Sequence, residues 1–342
     1  MTTASPDSAS KPLGVIDAIG HGFSLVNRHP WLLLIPLLVD LLLWQAPRLS
    51  VASLVNRQID FLFNQPDLPV TLPADSMAMV DSLRGVGANF NLLSLLAGPI
   101  TRLPSYLART DVAAAGAMGR LVPIESLQQV FLTAILLIPV GLLIGSLWLA
   151  LTARAMENEP RRLGDILRRT GWVWLNIGLY VLGLVAAVLA ASGLFGLIIF
   201  VIVALTGTAG LTIASVVWLL MVAAIVWVSI GLSFVVSAIV LDRVNVARAT
   251  WRSFNVVGRN LPSTLGLLIL SLILSEGFVR IWLRLSTNAW GVPIGVLGNA
   301  YIGAGLTAAT LFFYRARYQQ WQRVRSTVAS ARKPNDDGMR ET

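Results

Sequence analysis

Long apolar runs separated by short basic segments dominate the chain. An α-helix needs about 20 apolar residues to cross roughly 30 Å of hydrocarbon at a rise of about 1.5 Å per residue. Five runs meet that length, and the first is short enough to require extension past Trp44 or a thinned bilayer. The pattern predicts an all-α, polytopic membrane helical bundle of six transmembrane helices. The predicted spans are residues 31–47, 128–153, 172–205, 211–241, 263–285 and 294–314.

The polar stretches divide the chain around a single membrane domain that we expect over residues 12–314. Residues 1–11 are small and polar and predict a disordered N-terminus, and residues 315–342 form a basic tail. The longest interruption, residues 48–125, is rich in proline and glycine and carries apolar residues at helical spacing. We expect this insertion to form short amphipathic helices that cap one side of the bundle, either passively or as a lid.

Composition supports the membrane interpretation. Hydrophobic residues make up 56% of the 342 residues and charged residues only 13%, about half of the roughly 25% found in soluble domains. Polar side chains are therefore too few to cover a soluble protein of this size. The absence of cysteine excludes disulfides, thiol catalysis and cysteine metal sites.

The placement of lysine and arginine predicts the orientation of the bundle. Segments 1–30, 154–171, 242–262 and 315–342 hold 2, 5, 4 and 7 of these residues, which is 18 of the 26. Positive charge concentrates on the cytoplasmic side of membrane proteins. We therefore expect a multi-pass protein of the cytoplasmic membrane with both termini in the cytoplasm.

Two of these basic segments have the pattern of amphipathic interfacial helices. In residues 243–259, Val244, Trp251 and Phe254 share one helical stripe, and arginines and asparagines form a second stripe. Such a helix lies flat in the headgroup region, with its rings toward the acyl chains and its arginines toward phosphates. We predict that anionic membrane lipids are partners at this face. The predicted headgroup contacts are Arg28, Arg168, Arg169, Arg248, Arg252 and Arg259.

The amphipathic pattern recurs along the chain. An offset of 231 residues aligns four N-terminal residues with identical ones in the later segment: Ala18, Phe23, Val26 and Arg28 with Ala249, Phe254, Val257 and Arg259. A third copy is predicted at residues 162–176, and each copy precedes an odd-numbered span. The simplest architecture is three repeats of interfacial helix and transmembrane hairpin. The alternative is that any cytoplasmic loop of a membrane protein is basic and aromatic.

Four charged residues inside the predicted spans are candidate functional residues: Asp40, Glu276, Arg280 and Arg284. A lone ionised carboxylate in hydrocarbon costs several kcal/mol. Asp40 is therefore expected to face the bundle, be protonated or find a cation, either as a structural tether or as part of a polar pathway. Glu276 and Arg280 are four residues apart and can pair on one helix face, which Arg284 continues.

Small residues on two spans predict close helix packing. Gly141 and Gly145 are four residues apart on the second predicted span, and Gly303 and Gly305 lie on the sixth. Small residues allow helices to approach without an intervening layer of side chains.

The motifs R-H-P-W at residues 28–31 and S-F-x-x-V-x-R-N at residues 253–260 carry a family resemblance. Through Phe23, Arg28, His29, Pro30, Ser253, Phe254 and Arg259, the chain resembles the glycerophosphoryl diester phosphodiesterase membrane-domain family of bacterial multi-pass proteins. In that family a soluble phosphodiesterase domain can follow the membrane domain. This chain ends about 28 residues after its last predicted span, so we expect the catalytic domain to be absent. The resemblance therefore implies a fold rather than an enzyme.

The chain carries no motif for catalysis or for metal binding. HExxH, P-loop and GxSxG patterns are missing, and the two histidines, His21 and His29, are too few for a metal cluster. We therefore expect no enzymatic activity, no cofactor, no metal and no nucleic-acid partner.

Two function classes stay open. One is a non-catalytic module that binds lipid or assists envelope assembly, with or without a membrane-protein partner. The other is a small-molecule transporter that uses Asp40 or Glu276. The first predicts a dry, apolar core, whereas the second predicts a continuous polar cavity that reaches one of these acids.

Overall fold

The structure is a computed structural model that describes residues 13–63, 74–109, 120–157, 162–207, 209–286 and 290–331. Nearly all of these residues are helical, so the predicted all-α bundle is confirmed. The helices are α1 (Val15–Arg28), α2 (Leu34–Gln45), α3 (Ala52–Phe63), α4 (Ala74–Asn89), α5 (Leu127–Glu157), α6 (Leu163–Thr206), α7 (Ala209–Gly231), α8 (Val235–Asp242), α9 (Val246–Arg259), α10 (Leu261–Leu285) and α11 (Gly291–Ala331). Shorter 3-10 helices lie at Pro30–Leu33, Leu92–Ala97 and Pro99–Thr101.

Within the described residues, five helical stretches are long and apolar enough to cross a membrane. They are Leu127–Glu157, Leu163–Thr206, Thr212–Asp242, Leu261–Leu285 and Gly291–Arg323. A sixth crossing requires α1 and the helical residues Pro30–Gln45 to count as one span, and this pair is bent by 95°. The bend lies where α1 meets Pro30, because the residue before a proline disfavours helical geometry. The first predicted span, residues 31–47, therefore does not qualify by itself and counts as a crossing only together with α1, which we had placed outside it.

Helix α11 forms the centre of the bundle. The stretch from Ala304 to Phe313 is almost wholly buried. α1 packs antiparallel along it, with the Tyr301 hydroxyl 3.0 Å from Asn27 Oδ1 and Arg317 Nη2 3.4 Å from the carbonyl oxygen of Leu13. α1 is therefore built into the bundle rather than attached to its edge.

Helices α1 and α9 are two copies of one unit. Val246 and Arg259 follow Val15 and Arg28 by the 231 residues of the sequence alignment. The buried residues correspond at the same offset: Ala18, Gly22, Leu25 and Val26 in α1 with Ala249, Ser253, Val256 and Val257 in α9. The aligned phenylalanines each cover a glycine of a neighbouring helix, Gly305 in one case and Gly231 in the other. The two short helices therefore correspond in length and in buried positions, as the alignment predicted, while the repeat of a whole hairpin stays a prediction.

The predicted third copy, residues 162–176, is wrong as a separate interfacial helix. α6 begins at Leu163 and continues without a break to Thr206. The other two copies end before Pro30 and Pro262, whereas α6 contains no proline after residue 176. Nothing interrupts the backbone hydrogen bonds there, so the helix passes directly into the span.

The insertion differs from the cap that we expected. α3 and α4 do pack on each other, but two short strands, β1 (Arg48–Ser50) and β2 (Leu121–Pro123), also pair in parallel. Helical periodicity did not predict this sheet. Residues 92–109, which we call the re-entrant segment, then run into the bundle, where Thr101 and Tyr106 are completely buried. Non-helical backbone at membrane depth is tolerated when protein surrounds it.

Glycines on two long helices make room for the re-entrant segment. A Cβ atom on Gly145 of α5 would lie 2.3 Å from the Thr101 side chain, and one on Gly303 of α11 would lie 2.2 Å from Pro104. The close approach predicted for these glycines is therefore made to an irregular segment and not to another helix.

Candidate functional site

One end of the bundle, which we call the basic end, joins the last turn of α5, the first turns of α6, the corner between α8 and α9, and residues 315–325 of α11. Arg169 of α6 forms an ion pair with Glu157 of α5, with Nη1 2.8 Å from Oε2. Its Nη2 also donates to the carbonyl oxygen of Val240 in α8 at 3.1 Å. A single guanidinium thus connects three helices.

A cavity of about 690 Å³, the first basic cavity, opens at this junction. Its lining holds five arginines, one tryptophan and one carboxylate: Arg154, Arg162, Arg168, Arg169, Arg243, Trp172 and Asp165. Arg162, Arg168 and Arg243 are exposed to the cavity mouth, whereas Arg154 and Arg169 are buried. Guanidinium groups bind phosphate and carboxylate through paired hydrogen bonds. The cavity therefore suits an anionic group.

Arg243 occupies an unusual backbone position in this lining. It follows the last turn of α8 with φ of +52°, in the left-handed region that residues other than glycine and asparagine seldom adopt. Such a conformation costs on the order of 1–3 kcal/mol and is found preferentially at functional sites. The turn lets Asp242 face α9 while Arg243 lines the first basic cavity.

A second basic cavity of about 800 Å³ lies between α9 and α11. It is lined by Ala247, Arg248, Trp251, Arg252, Tyr318, Trp321, Gln322 and Arg325. These lining residues include no carboxylate. The guanidinium carbon of Arg252 lies 4.7 Å from the centre of the Tyr318 ring, and that of Arg325 lies 5.8 Å from the Trp321 ring. These cation–π contacts hold positive charge against aromatic surface.

The corner between α8 and α9 contributes lining residues to both basic cavities, Arg243 to the first and Ala247 and Arg248 to the second, and we call this corner the shared wall. Asp242 Oδ2 accepts hydrogen bonds from Arg252 Nη1 at 2.6 Å and from the Tyr314 hydroxyl at 2.6 Å. The next residue, Arg243, lines the first basic cavity. Burial alone would lower the pKa of Arg252, but the hydrogen bond and the charge of Asp242 raise it overall. Arg252 is therefore a permanent cation in this wall.

Asp40 lies at a separate place, where the re-entrant segment meets α2. The carboxyl group is completely buried and accepts hydrogen bonds from the Ser105 hydroxyl, from the Tyr106 amide at 3.0 Å and from the Leu107 amide at 3.1 Å. Backbone and hydroxyl donors thus surround a buried acceptor, the arrangement that offsets the cost of burying it. This geometry is that of a structural tether.

Tyr106 extends this contact to α10. Its hydroxyl lies 2.8 Å from Ser286 Oγ. The Tyr106 side chain is completely buried, so this contact gives its hydroxyl group a hydrogen-bond partner.

Glu276 pairs with the re-entrant segment and not with Arg280, so the pair expected within α10 is corrected. Arg109 Nη1 lies 2.8 Å from Glu276 Oε1, and its Nη2 lies 3.0 Å from Ser275 Oγ. A partner from another element can approach the carboxylate directly, whereas an i, i+4 pair on a helix surface gains only about 0.2–0.5 kcal/mol. Asp40 and Glu276, selected independently from the sequence, therefore hold the same five residues, 105–109.

Arg102 of the re-entrant segment reaches a break in the span Thr212–Asp242. The break separates α7 from α8, and Arg102 Nη2 donates to the carbonyl oxygen of Ser233 there at 2.9 Å. From the other side, Ser253 Oγ of α9 donates to Gly231 at 2.6 Å and accepts from the Phe234 amide at 3.1 Å. Side chains thus satisfy the backbone groups that the interrupted helix leaves exposed.

The remaining candidate residues do not line either basic cavity. Arg280 and Arg284 are exposed on α10. Arg28 is exposed in the last turn of α1. Arg259 lies beside the second basic cavity, with its guanidinium carbon 5.3 Å from the centre of the Trp321 ring.

Sequence reasoning selected Arg168 and Arg169 but missed Arg154, Arg162 and Arg243 in the same cavity. All three belong to basic segments between spans that we had used only to predict orientation. An amphipathic stripe could not select them, because they lie at helix ends or between helices, where helical periodicity carries no information.

The described residues contain no group of three or more His, Cys, Asp or Glu side chains that could hold a metal ion. The two histidines instead contact aromatic rings: His21 lies 5.7 Å from Phe312 and His29 lies 6.1 Å from Trp31, measured between ring centres. Comparisons with protein-family models, with curated proteins and with solved structures gave no significant match to this chain.

Proposed function

We propose that the protein is a non-catalytic membrane protein that binds anionic lipid headgroups at its basic end. The single observation that carries this proposal is the first basic cavity, where five arginines and one aspartate line a space of about 690 Å³. Basic pockets between membrane helices are suited to anionic headgroups. A phosphate would be held there by bidentate guanidinium hydrogen bonds.

The surroundings of the cavity favour a lipid over a soluble anion. Trp172 in the lining is 40% exposed, and Leu167 beside it is 68% exposed. Apolar side chains next to exposed guanidinium groups match a ligand that has acyl chains and a charged headgroup. We place the basic end at the cytoplasmic face of the membrane, because positive residues collect on that side.

The alternative function, a small-molecule transporter, receives less support. It requires a polar cavity at Asp40 or Glu276, yet both carboxylates bind the re-entrant segment and neither lines a basic cavity.

The test is lipid binding by the purified full chain in detergent, measured by native mass spectrometry and by thermal stabilisation with phosphatidylglycerol. We expect wild-type protein to retain and to be stabilised by this lipid, and an Arg162→Ala/Arg168→Ala variant to bind it at least tenfold more weakly. A matched Arg84→Ala/Arg280→Ala variant removes two exposed arginines outside both cavities and is expected to bind as wild type does. Equal weakening in both variants would mean nonspecific attraction to positive charge and would contradict the proposal.

A further inference from the structure

We infer that the two basic cavities act together as one site for a lipid with two phosphates joined by a short bridge, the chemistry of a diphosphatidylglycerol. The inference rests on the proposed function and names the class of lipid that the basic end prefers. It draws on three properties of the cavities: their proximity, their separate positive charges and their aromatic borders.

The proximity of the cavities follows from the shared wall. Asp242 and Arg243 are consecutive, so their Cα atoms lie about 3.8 Å apart. Arg243 lines the first cavity, while Asp242 holds Arg252 of the second cavity at 2.6 Å. Arg243 of the first lining and Ala247 of the second are thus four positions apart in the chain, and we infer from this closeness that two linked phosphates can reach both cavities.

Each cavity has cations of its own to offer to a phosphate. In the first, Arg162 and Arg168 are exposed, and in the second, Arg248 and Arg325 are exposed. The carboxylate in the shared wall, Asp242, is already occupied by a guanidinium and a tyrosine hydroxyl. Its negative charge is thus compensated and does not divide the positive surface into two isolated patches.

Exposed aromatic and apolar side chains border the second cavity and provide a surface for acyl chains. Trp251 is 70% exposed and Phe254 of the same helix is 43% exposed. Tryptophan is favoured at the level of lipid headgroups because its ring is amphipathic. A lipid with one phosphate can fill either cavity, whereas a lipid with two phosphates can fill both at once.

Simultaneous occupancy should produce a gain in affinity beyond the sum of two separate phosphates. Once one phosphate is bound, the second binds at a high effective concentration, and such linkage can raise affinity by about 10²–10⁴-fold. This gain in affinity requires both cavities to be intact. It therefore distinguishes one lipid that bridges the cavities from two headgroups that bind independently.

The experiment compares diphosphatidylglycerol with phosphatidylglycerol at equal total phosphate, titrated into the purified full chain and measured by native mass spectrometry. We expect wild-type protein to bind the two-phosphate lipid at least tenfold more tightly. Arg162→Ala/Arg168→Ala in the first cavity and Arg248→Ala/Arg325→Ala in the second should each remove this preference. Each should keep weak binding of phosphatidylglycerol at the cavity left intact.

A matched Arg84→Ala/Arg280→Ala variant should keep the full preference, and circular dichroism should show unchanged helicity in all three variants. Equal affinity of wild-type protein for the two lipids would overturn the inference and leave the proposed function standing. The inference would also be overturned if either cavity variant kept the preference for diphosphatidylglycerol, because both phosphates would then bind within a single cavity. Failure of both lipids to bind would refute the inference and the proposed function together.

Discussion

The contact between Asp40 and the re-entrant segment can be tested by substitutions that change one property at a time. Asp40→Asn keeps the size of the side chain but replaces an oxygen with an NH2 group. Asp40 Oδ2 accepts from the Tyr106 amide, and Oδ1 accepts from Ser105 and Leu107. An amide therefore places a donor against a donor at one of these positions, whichever way it is rotated.

The expected cost follows from the number of donors that lose their acceptor. A buried donor left without a partner costs about 1–3 kcal/mol, and hydrogen bonds to a charged group contribute about 1.5–3 kcal/mol each. Asp40→Asn should therefore destabilise the fold by about 2–4 kcal/mol. Asp40→Ala leaves both backbone amides unpaired and should cost about 1 kcal/mol more than Asp40→Asn. Ser105→Ala removes only the hydroxyl donor and should cost the least.

The assays are unfolding of the purified protein in detergent and hydrogen exchange of residues 103–109. The expected order of stability is wild type, Ser105→Ala, Asp40→Asn and Asp40→Ala, with faster exchange at the Tyr106 and Leu107 amides in the two Asp40 variants. Asp40→Ala with wild-type stability and unchanged exchange would refute the tether. An Asp40→Asn variant that is fully stable but loses proton-coupled uptake would favour the transporter instead.

Three further predictions concern close contacts in the bundle; the first and third are measured as a change in the midpoint of thermal unfolding and the second by proteolysis. Gly22→Ala should destabilise by more than about 1 kcal/mol, because its Cβ would lie 2.2 Å from a carbonyl oxygen of α11, whereas Gly20→Ala, with nothing within 4 Å, should not. Gly303→Val should displace Pro104 and expose the re-entrant segment to added protease; an unchanged digestion pattern would contradict the packing. Ser253→Ala should cost about 1–3 kcal/mol through the two hydrogen bonds at the helix break, and a neutral effect would show that the break needs no cap.

The sequence predicted the long helices from the length of their apolar runs, and the correspondence of α1 with α9 from a shared periodic pattern. Hydrophobic runs identify spans by length alone. Ala18 and Val26 could be aligned with their later copies because these positions are buried in both helices, and Phe23 because each copy covers a glycine of a neighbouring helix. Residues 162–176 share that periodicity, but no proline ends a helix there. The pattern therefore predicted a separate interfacial helix where the structure has the start of a long one.

The re-entrant segment could not be predicted, because its contacts have no period. Arg102 reaches Thr310 over 208 positions, and Arg109 reaches Glu276 over 167 positions. The sequence around either arginine gives no sign of these distant partners, because the partners lie on helices that come much later in the chain. Asp40 and Glu276 could be selected because charge inside an apolar run is costly, but their donors lie in a segment that carries no such signal.

The long-range contacts of the re-entrant segment also constrain the order in which the chain can fold. Residues 101–109 leave the ribosome long before their neighbours in α10 and α11, including Ser286, Gly303 and Thr310. These contacts can form only after α10 and α11 have been synthesised, so we expect this stretch of arginine, serine and proline to dock late in assembly. The C-terminal helix thus acts as the closing part of assembly, and a nascent chain halted before it would remain an open intermediate.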